Sequence, residues 1–220
     1  MSLSMFEVSL QRQRVKQSSS VTGKVVSDQL TPQMLIQAYS MGIFPMGDNA
    51  NPDEPLRWYA PDPRCVFDLE NFHVPKRLAR TYRQGRFEMR INSAWRQVME
   101  LCADRENTWI TEDIYDVYTK LHEMGKAHSV EAYYDGELAG GLYGVSLGGA
   151  FMGESMFHTV TDASKIALIY LVERMKQRGF VLLDCQFMTT HLKTFGAMDI
   201  PQPEYMSRLQ KAIRLDVRFD

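Results

Sequence analysis

The chain has 220 residues, a formal net charge of −2 and 45% apolar residues. This length predicts one domain, or a large domain with a small partner, and the apolar content can fill a real core. No run of about 18 apolar residues occurs, so we expect no membrane-spanning helix, and we expect no signal peptide because an apolar N-terminal segment is missing. The three scattered cysteines lack a Cys-x-x-Cys pair. They indicate a reduced, cytosolic protein rather than a disulfide scaffold or zinc site.

The N-terminal part combines a polar segment, a helix and a loop. Residues 1–28 are polar and mixed, and we expect them to be loosely ordered. Thr31 and Pro32 are typical of a helix N-terminus, with threonine as the N-cap and proline in the first turn. A Pro-rich, irregular stretch over residues 45–63 follows and contains Trp58. An aromatic ring in a loop forms either a local hydrophobic plug or a flat surface on which a base stacks.

A basic segment comes next. We predict a helix from Pro75 to Gln84 and a short strand over residues 87–91, where apolar residues alternate. Basic residues crowd this segment, namely Lys76, Arg77, Arg80, Arg83, Arg86 and Arg90. Such a cluster is either a solvated helix face or a patch that binds phosphate groups.

The rest of the chain alternates between helical and strand patterns. The predicted elements are helices at 93–103 and 111–124, strands at 128–134, 137–147 and 150–157, a helix at 162–177, a strand at 180–185, and helices at 190–195 and 203–214. Three antiparallel strands thus lead into a β-α-β unit, which is the order of elements in N-acetyltransferase-type folds. We therefore predict the α+β class, with an N-acetyltransferase-like mixed sheet and flanking helices. We expect a small N-terminal domain at 29–90 and the catalytic domain at 91–220.

The turn before the 162–177 helix argues against coenzyme A. In acetyltransferases this turn is rich in glycine and cradles a pyrophosphate, whereas residues 158–162 here contain no glycine. Asp162 would also repel a pyrophosphate. Lys165 lies in the first turn of the same helix, where a cation opposes the helix dipole. A partner carboxylate such as Glu154, or a ligand phosphate, would account for Lys165.

Two carboxylates stand in apolar surroundings. Glu154 lies among glycines and large apolar side chains, and burying its charge is costly unless the charge is paired. Asp184 ends an apolar strand, at the edge of a β-α-β unit where ligands bind. Gln186 follows two residues later, on the same side of a continuing strand. An acid beside an amide can orient the amide or relay a proton; the alternative is a capping Asp with a structural Gln.

These features occur together with a series of short motifs spread over most of the chain. The motifs are Gly42-Ile43-Phe44-Pro45, Trp58 with Pro61-Asp62-Pro63-Arg64, Thr108-Trp109-Ile110, Ala127-His128-Ser129-Val130-Glu131, Gly140-Gly141-Leu142-Tyr143-Gly144-Val145, Gly153-Glu154-Ser155-Met156-Phe157, Ala163-Ser164-Lys165, Asp184-Cys185-Gln186, and His191-Leu192 before Gly196-Ala197. In this order and spacing, the sequence resembles the bacterial leucyl/phenylalanyl-tRNA–protein transferases from about Leu30 to about Leu209. His158 departs from the family, which more often has serine there, and Tyr59 stands where a second tryptophan often follows Trp58.

The resemblance implies a cytoplasmic enzyme of protein modification. Such an enzyme moves Leu or Phe, and Met less readily, from aminoacyl-tRNA to the α-amine of proteins that begin with Arg or Lys. The transfer marks those proteins for degradation by the N-end rule route. The family uses neither coenzyme A nor a metal, so we expect no cofactor and no membrane partner.

The resemblance also assigns site residues. Asp184 and Gln186 would orient the incoming amine and remove its proton as a relay, and Glu154 would fix the reacting groups or receive the substrate's N-terminal cation. The residues expected to bind the substrate are Trp58 and Trp109 beside the terminal adenosine, Leu142, Phe151 and Leu168 around the Leu or Phe side chain, and Ser155 and Phe157. The residues expected to grip the tRNA backbone are Lys76, Arg77, Arg80, Arg83 and Arg86.

Two other hypotheses about the function of this chain remain at this point. One is an acetyltransferase that uses acetyl-coenzyme A, which the missing glycine turn disfavours. The other is a non-enzymatic module that binds tRNA or a degradation signal. That module would need the basic patch and a pocket, but no carboxylate at the end of a strand.

Overall fold

A computed structural model describes residues 30–48, 56–106 and 108–220. The expected loose order of residues 1–28 concerns a segment outside this range. The helices of the described residues are α1 (Pro32–Ser40), α2 (Lys76–Arg83), α3 (Trp95–Ala103), α4 (Glu112–Glu123), α5 (Ala163–Arg178), α6 (Thr190–Lys193) and α7 (Gln202–Ala212). The strands are β1 (Phe44–Met46), β2 (Arg57–Tyr59), β3 (Arg64–Phe67), β4 (Glu88–Ile91), β5 (Ala127–Tyr134), β6 (Glu137–Leu147), β7 (Ala150–His158), β8 (Leu182–Gln186) and β9 (Met198–Ile200).

Seven of the strands form one mixed sheet in the order β4-β5-β6-β7-β8-β3-β9. Strands β7 and β8 are parallel, and every other neighbouring pair in this sheet is antiparallel. Strands β1 and β2 form a separate antiparallel ribbon. The predicted α+β class, with a mixed sheet and flanking helices, is confirmed. So is the predicted passage from three antiparallel strands through a helix, α5, into the parallel strand β8.

Local sequence signals account for many of these elements. The Thr31 hydroxyl accepts a hydrogen bond from the Met34 amide at 3.3 Å, which caps α1 as its residue type predicts. The Asp135-Gly136 pair turns with positive φ at both residues between β5 and β6. A Cβ atom at Gly140 would lie 2.6 Å from the Ala163 Cβ. Glycine in β6 therefore lets the start of α5 pack directly on the sheet.

The core forms two main apolar layers. Buried residues of α1, α3, α4 and α7 pack in one layer, which includes Tyr39, Tyr118 and Tyr205. The other layer surrounds α5 and includes Leu142 and Phe151. Helices with one apolar stripe and a sheet with two apolar faces produce such a layered arrangement.

The predicted domain boundary near residue 90 falls within β4, a strand of the seven-stranded sheet. Strand β3 lies inside the seven-stranded sheet, between β8 and β9, and β4 forms an edge of the same sheet. The predicted 29–90 segment therefore contributes strands to the sheet of the predicted catalytic domain. Strands β1, β2, β3 and β9 are absent from the sequence prediction, because none of them, unlike residues 87–91, lies in a stretch where apolar residues alternate over five positions.

Within the described residues, no helix combines the length and the apolar character needed to cross a bilayer.

Candidate active site

The candidate site lies where the parallel strands β7 and β8 stop pairing. Their last paired residues are Met152 and Asp184. Just beyond that point each strand has one extra residue relative to its other neighbour: Glu154 in β7, opposite β6, and Cys185 in β8, opposite β3. A β-bulge bends its strand and redirects nearby side chains, and bulges are common next to active sites. Two bulges at the ends of adjacent parallel strands thus mark this edge of the sheet.

A cavity of about 70 Å³ opens at this edge. It is lined by Phe44, Met46, Trp109, Glu154, Gln186 and Phe187. Four of these side chains are apolar, while Glu154 brings a carboxyl group and Gln186 brings an amide. The volume equals that of about two water molecules, so the cavity accommodates an amino group but not a whole leucine side chain.

Asp184 lies behind this cavity and is fully buried. The Arg64 guanidinium donates two hydrogen bonds to its oxygens, at 2.8 Å from Nε and 2.7 Å from Nη2. The Tyr205 hydroxyl donates a third at 2.8 Å, and the Gln186 amide N–H donates a fourth at 2.9 Å. A paired and fully hydrogen-bonded carboxylate is stable when buried, but it lacks contact with the cavity. Asp184 does not itself line the cavity and is connected to it through Gln186, and the predicted proton relay stays a prediction.

Arg64 connects Asp184 with the N-terminal segment. Its Nη1 donates to the Gly42 carbonyl at 3.0 Å, and its guanidinium lies 4.9 Å from the Phe44 ring centre and 4.6 Å from that of Tyr205. Burial disfavours the charge of this side chain, which is 1% exposed, but the Asp184 carboxylate outweighs burial and raises the pKa of Arg64 above its ordinary value. Arg64 is therefore a buried cation that fixes β3 against β8.

Glu154 is half-buried and faces the cavity. Its Oε1 accepts a hydrogen bond from the Tyr39 hydroxyl at 2.6 Å, and the Gln186 side-chain amide lies 3.4 Å from the same oxygen. Burial raises the pKa of Glu154 to about 8, and the negative charge of Asp184 adds to this rise, while the hydrogen bond from Tyr39 and the charge of Arg64 oppose it. A carboxyl group that titrates near neutral pH can exchange a proton with a bound substrate.

Three buried tyrosines lie behind Glu154. The Tyr39 hydroxyl is hydrogen-bonded to the Tyr118 hydroxyl, and the Tyr118 ring packs edge-on against Tyr143 with centroids 6.0 Å apart. Burial, reinforced by the nearby Glu154 charge, raises the pKa of all three phenols well above the ordinary value. Tyr39 and Tyr118 are therefore neutral hydrogen-bonding groups, and Tyr39 donates to Glu154, whereas the Tyr143 hydroxyl is buried without a hydrogen-bond partner among the described residues.

The two predicted adenosine-binding tryptophans occupy different positions. Trp109 lines the cavity. Trp58 lies on β2 and is 43% exposed, and β2 pairs with β1, the strand that supplies Phe44 and Met46 to the cavity. Tyr59 stacks on Phe44 with ring centroids 6.0 Å apart. The indole of Trp58 is therefore accessible on this ribbon, and base stacking by Trp58 stays a prediction.

The predicted substrate pocket lies on the α5 side of the sheet. Leu142, Phe151 and Leu168 are buried in the layer around α5, and none of them lines the cavity that contains Glu154. Phe157 is buried in the opposite layer. The Ser155 hydroxyl accepts a hydrogen bond from Arg105 at 2.7 Å. A pocket formed by these residues stays a prediction.

The basic segment is exposed at every predicted position, Lys76, Arg77, Arg80, Arg83 and Arg86. Arg77 differs from the others because it donates two hydrogen bonds to Asp162, at 2.7 and 2.9 Å. Among the residues that the structure describes, the other four have no carboxylate partner. Exposed cations without a carboxylate partner are available to bind phosphate groups.

The partner of Lys165 is Asp162, at 3.1 Å, rather than Glu154. Asp162 stands at the N-cap position of α5 with φ of +71°, but its side chain makes no capping hydrogen bond. The carboxylate instead binds Lys165 and Arg77, and these two cations lower the pKa of Asp162, Arg77 contributing first.

Sequence reasoning assigned no role to several residues that build this site. Arg64 appears only within one of the motifs quoted for the resemblance, although a buried Asp184 requires a cationic partner. Tyr39, Tyr118 and Tyr205 lie on amphipathic helices, where a tyrosine normally signals core packing. Only the burial of a carboxylate among apolar residues indicated that such donors had to exist.

Two protein-family models match this chain. The family model for the leucyl/phenylalanyl-tRNA protein transferase matches residues 66–210, and the model for its N-terminal domain matches residues 28–62. The chain belongs to this family. The two matches meet between residues 62 and 66, and the boundary near residue 90 stays a prediction.

Relatives within the leucyl/phenylalanyl-tRNA protein transferase family are similar over most of their length. The transferase of Gloeobacter violaceus is 52% identical over 190 residues, which is 86% of this chain and 97% of that protein. The transferase of Rubrobacter xylanophilus is 52% identical over 191 residues, or 86% of this chain and 98% of that protein. The predicted family and the prediction that the chain is an enzyme, a transferase, are confirmed.

Solved structures show a more distant likeness. L-PGS from Bacillus licheniformis matches with a TM-score of 0.39 and 16% identity, over 75% of this chain and 56% of that one. A GCN5-related N-acetyltransferase-like protein from Streptococcus suis matches with a TM-score of 0.40 and 13% identity, over 76% and 63%. The assignment to the leucyl/phenylalanyl-tRNA protein transferase family does not depend on these matches.

Proposed function

We propose that the chain moves Leu or Phe, and Met less readily, from aminoacyl-tRNA to the α-amine of proteins whose first residue is Arg or Lys. The transfer marks those proteins for N-end rule degradation in the cytoplasm, where aminoacyl-tRNA is available. One observation supports this proposal most strongly. In a member of this transferase family, the Glu154 carboxyl and the Gln186 amide lie within 3.4 Å of each other at a small cavity with mainly apolar walls.

The reaction is the aminolysis of an ester. The amine nitrogen attacks the carbonyl carbon, a C–N bond forms, and the C–O bond to the terminal ribose breaks. The proton that leaves the amine is balanced by the proton that the ribose oxygen takes up. The ester is already activated, so holding amine and ester together is the main task, and positioning can supply about 7–11 kcal/mol of the barrier.

Glu154 has the properties needed to receive the amine. Its pKa of about 8 is close to that of a free α-amine, about 7.7–8.0, so a proton passes between the two groups at little cost. A bound ammonium group also favours the ionised carboxylate, which creates an ion pair inside the cavity. In this proposal Glu154 binds the N-terminal ammonium group and takes one proton from it, which frees the nitrogen lone pair for the attack. The second proton that the nitrogen loses as the amide forms is the one that passes to the ribose oxygen.

Gln186 and the basic surface complete the proposal. The Gln186 amide orients the amine or the ester carbonyl from the other wall of the cavity, while Asp184 stays behind it. Trp109 and Trp58 border the terminal adenosine, and each stacked base contributes about 1–3 kcal/mol. The basic residues of α2 contact the acceptor-stem backbone without reading its sequence. Leu142, Phe151 and Leu168 stay our candidates for the side-chain pocket.

The experiment is transfer of radiolabelled leucine from leucyl-tRNA to a peptide that begins with Arg. The same peptide with an acetylated N-terminus is the matched control, because it keeps the arginine and lacks the nucleophile. We expect labelled product from the free peptide only. Tight tRNA binding without product would indicate a binding module instead. Tight binding of coenzyme A in calorimetry would favour an acetyltransferase.

A further inference from the structure

The segment directly after Asp184 has an unusual backbone. The Phe187 amide N–H donates to the Cys185 carbonyl at 2.6 Å, which closes a three-residue turn with Gln186 at its centre. The backbone φ of Gln186 is +59°, in the left-handed region that residues other than glycine and asparagine rarely adopt. Turns of this hand are rare and strained, and such strain persists only where the surroundings impose it.

The turn determines what enters the cavity. Gln186 is buried and Phe187 is 45% exposed, yet both line the cavity. Phe187 also packs edge-on against Phe44, with ring centroids 5.8 Å apart. In an extended strand these consecutive residues would point to opposite faces. The left-handed centre of the turn thus places both side chains at one site.

The surroundings that impose this turn are the partners of Asp184. Its Oδ1 accepts the Gln186 amide N–H at 2.9 Å. Tyr205 of α7 and Arg64 of β3 fix the carboxylate from two other elements. Asp184 therefore accepts hydrogen bonds from three residues. Of these donors, the backbone N–H of Gln186 belongs to the turn, while Arg64 and Tyr205 lie in other elements.

We propose that Tyr205 and Arg64 are positioning residues which, through Asp184, hold the strained turn at residues 185–187 and so place the Gln186 amide and the Phe187 ring at the reacting groups. This inference rests on the proposed function, because it assumes that aminoacyl transfer takes place in the cavity. Asp184 acts in it as a fixed hydrogen-bond acceptor for the turn.

The substitution Tyr205→Phe tests this inference. It keeps the ring and removes one hydrogen bond to Asp184, and the phenol does not line the cavity. We expect kcat for transfer to the Arg peptide to fall roughly tenfold, the effect of losing one hydrogen bond to a charged group. KM for leucyl-tRNA should stay within about twofold, since the variant leaves the proposed tRNA contacts in place. The backbone N–H of Gln186 should exchange its hydrogen with solvent faster, as measured by NMR, because the Asp184 carboxylate that accepts its hydrogen bond is no longer fixed.

The pH profile separates positioning from proton transfer. If Asp184 accepted a proton, losing the Tyr205 donor would move the midpoint of the kcat/KM profile to higher pH. Positioning lowers the whole profile and leaves its midpoint in place. Tyr134→Phe is the control, since Tyr134 is half-buried near Phe87, with ring centroids 5.4 Å apart, and outside the cavity. It should retain wild-type kcat and pH profile.

Three results would overturn the inference: a wild-type kcat in Tyr205→Phe, unchanged exchange of the Gln186 amide, or a shifted midpoint. If the wild-type protein transfers no aminoacyl group at all, the proposed function fails instead. The amide exchange then still decides whether Tyr205 holds the turn.

Discussion

The raised pKa of Glu154 predicts how the stability of this protein depends on pH. The pKa lies at about 8 in the folded protein, against an ordinary value of 4.5, mainly because the carboxyl group is buried. Between these values the unfolded chain has released its proton while the folded protein still holds it. Stability is therefore lost as pH rises through this window, and the loss levels off above about pH 8. Each pH unit is worth at most about 1.4 kcal/mol, so the whole window amounts to a few kcal/mol.

The substitution Glu154→Gln removes this titration. Glutamine keeps the size of the side chain and an oxygen that accepts from Tyr39, but it stays neutral in both states. We expect the difference between the free energies of unfolding of the variant and the wild type to change in favour of the variant as pH rises from 5.5 to 8. The change should be about 1 kcal/mol per pH unit. Urea denaturation at half-unit intervals, followed by circular dichroism, measures the difference.

The control for this experiment is Glu123→Gln, because Glu123 is an exposed carboxylate at the end of α4. That variant should follow the wild type across the whole range. Parallel stability curves for Glu154→Gln and the wild type would refute the reasoning, since they would mean that Glu154 is already ionised at neutral pH in the folded protein.

Two further predictions concern the basic surface and the N-terminal segment. Replacing Arg80 and Arg83 together by alanine should weaken tRNA binding and reduce the slope of log K against log salt by up to about 2, measured by filter binding. Arg77→Ala should change that slope by clearly less than the value of about 1 expected for one unpaired cation, because Arg77 is already paired with Asp162, and a change of about 1 would contradict this account. Gly42→Ala should lower the free energy of unfolding by about 1–3 kcal/mol in urea, because its Cβ would lie 2.9 Å from the Tyr205 ring at φ of +74°. Wild-type stability would show that this contact relaxes freely.

Long local patterns were sufficient to predict most of the fold. The strand over residues 137–147 and the turn at Asp135-Gly136 appear where the sequence places them. Helix α5 begins and ends one residue from its prediction, since Gly179 ends it in the left-handed conformation. These elements depend on residues close together in the chain, so the sequence contains the information needed to recognise them.

The short strands were not predictable in this way. Strand β3 has four consecutive buried residues and follows a Pro-rich stretch. Neither the spacing of its apolar residues nor its composition therefore distinguishes it from a loop. Its partners β8 and β9 come more than 100 residues later in the chain. Pairing between such distant segments depends on the assembled sheet, which is why the sequence alone did not predict that β3 belongs to it.

By itself, the sequence determined the fold class, the family and the location of Glu154, Asp184 and Gln186, because glycines, apolar runs and motif order are properties of neighbouring residues. Only the tertiary structure decided which groups each of these side chains contacts. Burial and hydrogen bonding are set by groups from distant segments. Arg64 and Tyr205 donate hydrogen bonds to Asp184, while Glu154 and Gln186 line the cavity. A carboxylate's chemistry depends on its donors and its contact with solvent, and both arise when the chain folds.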